Sequence, residues 1–80
     1  MQLIRTIPVS HNGKHYEIRV FSDEDDYRVA GYHNGRQVTA GYGVEMVTDF
    51  DFRQYHGTWA HDHLVAAVKN DIMQAHVAPQ

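Results

Sequence analysis

The chain has 80 residues, 42% of them apolar and 21% charged, with seven Lys and Arg against ten Asp and Glu for a formal net charge of −3. That length falls short of two ordinary domains, and the apolar share is too high for a disordered chain. With no Cys, a disulfide framework, a cysteine nucleophile, an iron–sulfur cluster and every Cys-containing zinc site are excluded.

No apolar run approaches the roughly 18–20 residues of a membrane span, and Met1-Gln2-Leu3-Ile4-Arg5 lacks the charged and apolar regions of a secretory leader. Residues 1–80 read as one domain, expected in the cytoplasm and without a cofactor. A chain of this size buries only about two thirds of its unfolded surface, so its core leaves a thin margin. Self-association is an expected remedy.

Along the chain, His11-Asn12-Gly13 recurs as His33-Asn34-Gly35. Asn-Gly between alternating apolar runs is the strongest short-range hairpin signal, because a type I′ turn needs positive φ at both central residues. Two hairpins are therefore predicted. With Asn12-Gly13 as a two-residue turn, Val9 faces Tyr16 and Ile7 faces Ile18. One side then collects Leu3, Ile7, Val9, Tyr16, Ile18 and Val20, with Arg5 as the exception.

With Asn34-Gly35 as the second turn, Tyr27 faces Tyr42, Val29 faces Ala40 and Gly31 faces Val38. The acidic string Asp23-Glu24-Asp25-Asp26 links the hairpins. If Ser22 and Tyr27 flank it, Val20 lies opposite Val29 and both apolar faces fall on one side. A one-residue slip would scramble that agreement.

The fourth strand is expected from Arg36 to about Val47, with Val38, Ala40, Tyr42, Val44 and Met46 inward and a bulge or bend at Gly41 and Gly43. Residues 48–57 alternate polar and aromatic side chains, a pattern that fits a short strand or an irregular crossover. From Thr58 the period changes. Thr58 reads as an N-cap, Asp62 suits the positive helix start, and Pro79 stops continuation. His61, Leu64, Val65, Val68, Ile72 and Ala75 share one stripe at about 100° per residue, which predicts an amphipathic helix over roughly 59–76. Docking about five such side chains at ~1.5–3 kcal/mol each would be the main stabilising event. The expected fold is α+β: a four-stranded antiparallel meander with one C-terminal helix packed on one face.

One helix covers one side of such a sheet. The other side carries Ile4, Thr6, Pro8, Ser10, His15, Glu17, Arg19, Phe21, Arg28, Ala30, Tyr32, Gln37 and Thr39. Phe21 should oppose Arg28, and Glu17 should oppose Tyr32, with Arg19 beside them. Aromatics interleaved with arginine are what protein interfaces favour, although an open wet face of an antiparallel sheet also tolerates them. Arg19, Phe21, Arg28 and Tyr32 are the expected partner-binding residues of a non-catalytic module that self-associates or binds a protein. The alternative is single-stranded nucleic acid stacked on the same face. Against it, Glu17 and the acidic string offset the two arginines.

Other strings point to chemistry less well. His61-Asp62-His63, with His56 upstream, looks metal-binding, but on a helix the two rings of an H-x-H pair diverge by about 200°, so no metal site is expected. Ser10, His15 and Glu17 line up on one face, yet a flat strand supplies no oxyanion donors and no water exclusion. The acidic string begins like a calcium loop and then fails at Tyr27 and Arg28. Lys69 is the one cation on the polar side of the helix, which argues against membrane-surface binding. His11 and His33 gather at the turn end with Lys14 and Arg36, as polar flanks or as an anion or pH-sensing cluster.

Overall fold

Both Asn-Gly pairs form the expected turns: φ is 52° at Asn12, 76° at Gly13, 53° at Asn34 and 78° at Gly35. These are the left-handed values that a type I′ turn demands. In the computed structural model, which describes residues 1–74, the first turn joins β1 (Gln2–His11) to β2 (Lys14–Ser22), and the second joins β3 (Asp26–His33) to β4 (Arg36–Gln37). β5 (Tyr42–Glu45), α1 (Met46–His56) and α2 (Ala60–Met73) follow. The fold is α+β, with an antiparallel sheet in the order β1-β2-β3-β4, β5 also pairing with β3, and two helices.

The turn arithmetic holds through the centre of the sheet. Val9 opposes Tyr16, Ile7 opposes Ile18, Val20 opposes Val29 and Ser22 opposes Tyr27. α2 lies across this apolar side. Ile18, Val20, Val29 and Val68 are fully buried and Ile72 nearly so, with Ile7, Tyr42, Leu64 and Val65 packed around them. Ala75 and Pro79 lie outside the described residues, as does the end of the expected helix span.

The sequence reading is corrected at four places. At the start of β1 the register slips between Leu3 and Arg5, so Leu3 opposes Phe21 and joins the open side of the sheet. Arg5 keeps the helix-side parity and reaches Asp62 of α2 at 2.8 Å. The inward charge therefore has an ionic partner at the edge of the core.

The long fourth strand breaks in two. Val38 N–H still donates to Gly31 O at 2.9 Å, but Gly31 N–H donates to Thr39 Oγ1 at 2.8 Å. The hydroxyl takes the donor that a ladder carbonyl would otherwise accept, and pairing lapses. It resumes two positions out of step, with Val29 opposite Tyr42 and Tyr27 opposite Val44. A shift of two preserves parity, so Tyr42 stays with the core. Thr39 is buried toward the helix rather than on the open side, and Ala40 is exposed.

Residues 48–57 are neither strand nor crossover, because α1 runs from Met46 to His56. Its inward stripe is Met46, Asp49 and Phe52, and a carboxylate at its centre hides the helical period. Gly57, at φ 74°, closes the helix by donating its N–H to Arg53 O at 2.9 Å, which is the left-handed end that favours glycine.

Thr58 is not the cap of α2. The N-cap is Trp59, which makes no capping side-chain bond, and Thr58 Oγ1 sits 3.2 Å from His63 Nε2. Asp49 does the capping from α1. Its Oδ1 accepts the His61 backbone N–H at 3.0 Å, and its Oδ2 lies 2.8 Å from His61 Nδ1.

Candidate functional site

The strand pairing places Arg19, Phe21, Arg28 and Tyr32 together on the side of the sheet away from α2. Phe21 opposes Arg28, Arg19 opposes Ala30, and Glu17 opposes Tyr32. Alternation along β2 sends Tyr16, Ile18 and Val20 into the core and leaves Glu17, Arg19 and Phe21 half-buried on the other face. The same alternation along β3 divides Val29 from Arg28 and Tyr32.

Three contacts order this face. The Arg19 guanidinium lies over the Tyr32 ring, 4.6 Å from its centroid, and donates to Glu17 Oε1 at 2.8 Å. Phe21 meets the Tyr32 ring edge-on at 6.1 Å. Such cation–π and edge contacts hold these side chains in one geometry. Beside them a pocket of about 270 Å³ opens between Phe21, Arg28, Ala30, Tyr32 and the chain at Gly41 and Gly43. Arg28 is exposed at this pocket and makes no ion pair among the described residues.

The β1 edge of the sheet is blunted. A two-residue turn closes on a hydrogen-bonded pair, so alternate residues of β1 direct their backbone polar groups outward. Pro8, opposite Glu17, falls on the outward set and brings no N–H. Edge-to-edge pairing through β1 is interrupted at its middle.

The remaining candidates resolve into structural contacts. Ser10 Oγ and His15 Nδ1 are 3.1 Å apart on an exposed surface, while the Glu17 carboxylate is taken by Arg19. His33 packs against Tyr16 at 5.2 Å and bonds His15 O through Nδ1. In the acidic loop, Asp23 N–H donates to Asp26 O at 2.8 Å and Asp25 O accepts Met46 N–H at 2.7 Å. The loop is thereby tied to the positive start of α1, where negative charge is favoured.

The three histidines singled out for metal diverge. His61 turns to Asp49, His63 to Thr58, and His56 packs at a tilt against Phe52, 4.3 Å between centroids. Among the described residues, no group of three or more His, Asp or Glu is placed to hold one ion.

The residue that the sequence reading missed is Asp49, which is fully buried. It begins a polar chain: Asp49 bonds His61, whose Nε2 lies 3.9 Å from Asp62 Oδ1, and Asp62 pairs with Arg5. Tyr27 and Trp59 flank the His61 ring. This chain ties α1, α2 and β1 together. A second tie, between β5 and α2, is Tyr42, whose hydroxyl donates to Asp71 at 2.5 Å. That bond to a carboxylate raises the Tyr42 pKa above its ordinary 10.0, with desolvation and the Asp71 charge adding to it.

No helix among the described residues is long and apolar enough to cross a membrane. Comparison of the chain with known protein families, with curated proteins and with solved structures finds no match in any of the three.

Proposed function

We propose that the chain is a small non-catalytic binding and assembly module whose open sheet face takes a polypeptide partner, foremost a second copy of itself. The observation that carries this reading is Arg28, an exposed guanidinium beside the Phe21–Tyr32 ring pair at the mouth of a pocket, with no ion pair among the described residues. Aromatic and arginine side chains are the ones enriched at interface centres. Arg19 and Tyr32 already hold one another, so less side-chain entropy is lost on docking.

Single-stranded nucleic acid on this face is the weaker reading. One side of the Tyr32 ring is covered by Arg19, and Arg19 is paired with Glu17, so few exposed cations remain for a phosphate backbone.

Sedimentation velocity of the wild type and Phe21→Asp tests the proposal. The wild type is expected to gain mass with concentration and Phe21→Asp to remain a monomer. Because Phe21 lies outside the buried core, the variant should melt close to the wild type. Monomeric profiles for both proteins at every concentration would remove self-association through this face.

A further inference from the structure

Beyond assembly, we infer that the pocket beside Arg28 is a small-ligand site whose ligand is an aromatic monocarboxylate. The register places this pocket. Arg28, Ala30 and Tyr32 follow one another on the open side of β3, with Phe21 opposite Arg28 on β2. On the other flank Gly43 opposes Arg28 and Gln37 opposes Tyr32, while pairing lapses beside Ala30. Ala30, Gly41 and Gly43 carry a single methyl between them, which leaves a low floor bordered by the Phe21 and Tyr32 rings.

The two glycines keep that floor low, and the fold does not require them. Neither Gly41 nor Gly43 has a positive φ. A Cβ at either would meet its nearest neighbour at 3.6 Å, Gln37 Nε2 for Gly41 and the Tyr27 carbonyl oxygen for Gly43. These are ordinary contacts, unlike the crowding that α2 imposes at Gly31. Glycine inside a strand weakens it and marks a place where a ligand or another backbone comes close. Among the described residues β5 pairs with β3 alone, so no neighbouring strand accounts for Gly43.

Size and charge select the ligand. The pocket holds about 270 Å³. A cavity of ~150 Å³ admits benzene, and drug-sized ligands need roughly 300 Å³ or more. One ring with a short acid arm fits between these limits. The Phe21 and Tyr32 rings suit an aromatic group.

Arg28 makes no ion pair among the described residues. Its planar fork matches a carboxylate through two parallel hydrogen bonds. Asp26 and Glu45 line the groove on the other side of Arg28. They would repel a second negative charge on the ligand, so a monocarboxylate is preferred to a phosphate dianion.

The test is an amide-resonance titration of the full chain, kept dilute, with phenylacetate, its neutral isostere phenylacetamide, and phenyl phosphate. Phenylacetate should shift Arg28, Gly41 and Gly43 saturably, with a dissociation constant on the order of 1 mM for a ligand of about ten heavy atoms. Phenylacetamide should bind about tenfold more weakly, and phenyl phosphate more weakly than phenylacetate. Arg28→Gln should erase the preference for the acid over the amide.

Gly43→Val raises the floor with a β-branched side chain that strands favour. It should melt no lower than wild type and bind phenylacetate about tenfold more weakly or worse. Gly43→Ala, whose Cβ has room, should change binding in the same direction by less. No saturable shift, equal binding of acid and amide, or unchanged binding in both Gly43 variants would each overturn the site. Phenyl phosphate binding as tightly as phenylacetate would overturn the monocarboxylate class. Sedimentation reads assembly separately. A monomeric wild type that binds phenylacetate keeps the ligand site and removes self-association, whereas a dimer that binds none of the three probes does the reverse.

Discussion

Asp49 Oδ1 accepts the backbone N–H of His61 at 3.0 Å, and its Oδ2 lies 2.8 Å from His61 Nδ1, so a carboxylate on one helix caps the start of the next. Trp59 cannot do this, and Asp49 is fully buried as it does so. Asp49→Ala should destabilise the fold by about 2–4 kcal/mol, because it removes a cap and leaves the half-buried His61 N–H and ring without their partner. Asp49→Asn keeps one carbonyl for the His61 N–H and should cost about half as much. Urea titration followed by circular dichroism measures both; equal losses for the two variants would show that packing, not acceptor chemistry, is what Asp49 supplies.

Gly31 is required by the approach of α2. A Cβ there would stand 2.8 Å from Thr39 Cγ2, 3.2 Å from Val68 Cγ1 and 3.3 Å from Ile72 Cδ1. Gly31→Ala should therefore cost about 1–3 kcal/mol from overpacking. Thr39→Val keeps the shape but leaves the Gly31 N–H without its acceptor, at about 1–3 kcal/mol. Thermal melts of the two variants are the check, and an unchanged midpoint for Gly31→Ala would contradict the close packing of α2 on β3.

The Tyr42–Asp71 bond links β5 to α2, and its pH dependence has a definite sign. The folded protein holds the Tyr42 proton more tightly than the unfolded chain does, because the hydroxyl donates to the Asp71 carboxylate. Its contribution to stability is fully present below the ordinary value of 10.0 and is lost as pH rises through the raised one. The stability advantage of wild type over Tyr42→Phe should be constant up to about pH 10 and shrink above it. Tyrosinate absorbance should show Tyr42 ionising at higher pH than an ordinary tyrosine. An advantage that grows with alkaline pH would refute the assignment.

Much of the sheet was legible because an Asn-Gly turn fixes register and parity at once. Val20 opposite Val29 and Phe21 opposite Arg28 follow from counting outward from two turns. The grouping of Arg19, Phe21, Arg28 and Tyr32 on one face comes from the same count; what binds there does not. The rest depended on interactions that periodicity does not encode. The break after Val38 comes from one hydroxyl competing for one N–H. α1 was hidden because its inward stripe holds Asp49 between Met46 and Phe52, while Val47, Phe50 and Tyr55 point outward at 64%, 51% and 87% exposure. A carboxylate inside and apolar groups outside reverse the usual helical signal. The cap at His61 was illegible for a related reason, since its donor and acceptor are twelve residues apart.

That outward apolar face of α1 is the natural rival to the sheet surface, and one measurement separates them. Backbone amide resonances followed as a function of protein concentration would map the contact residue by residue. The account predicts shifts that grow with concentration at Arg19, Phe21, Arg28 and Tyr32 while Val47, Phe50 and Tyr55 stay fixed. Shifts confined to Val47, Phe50 and Tyr55, or none at any concentration, would contradict it.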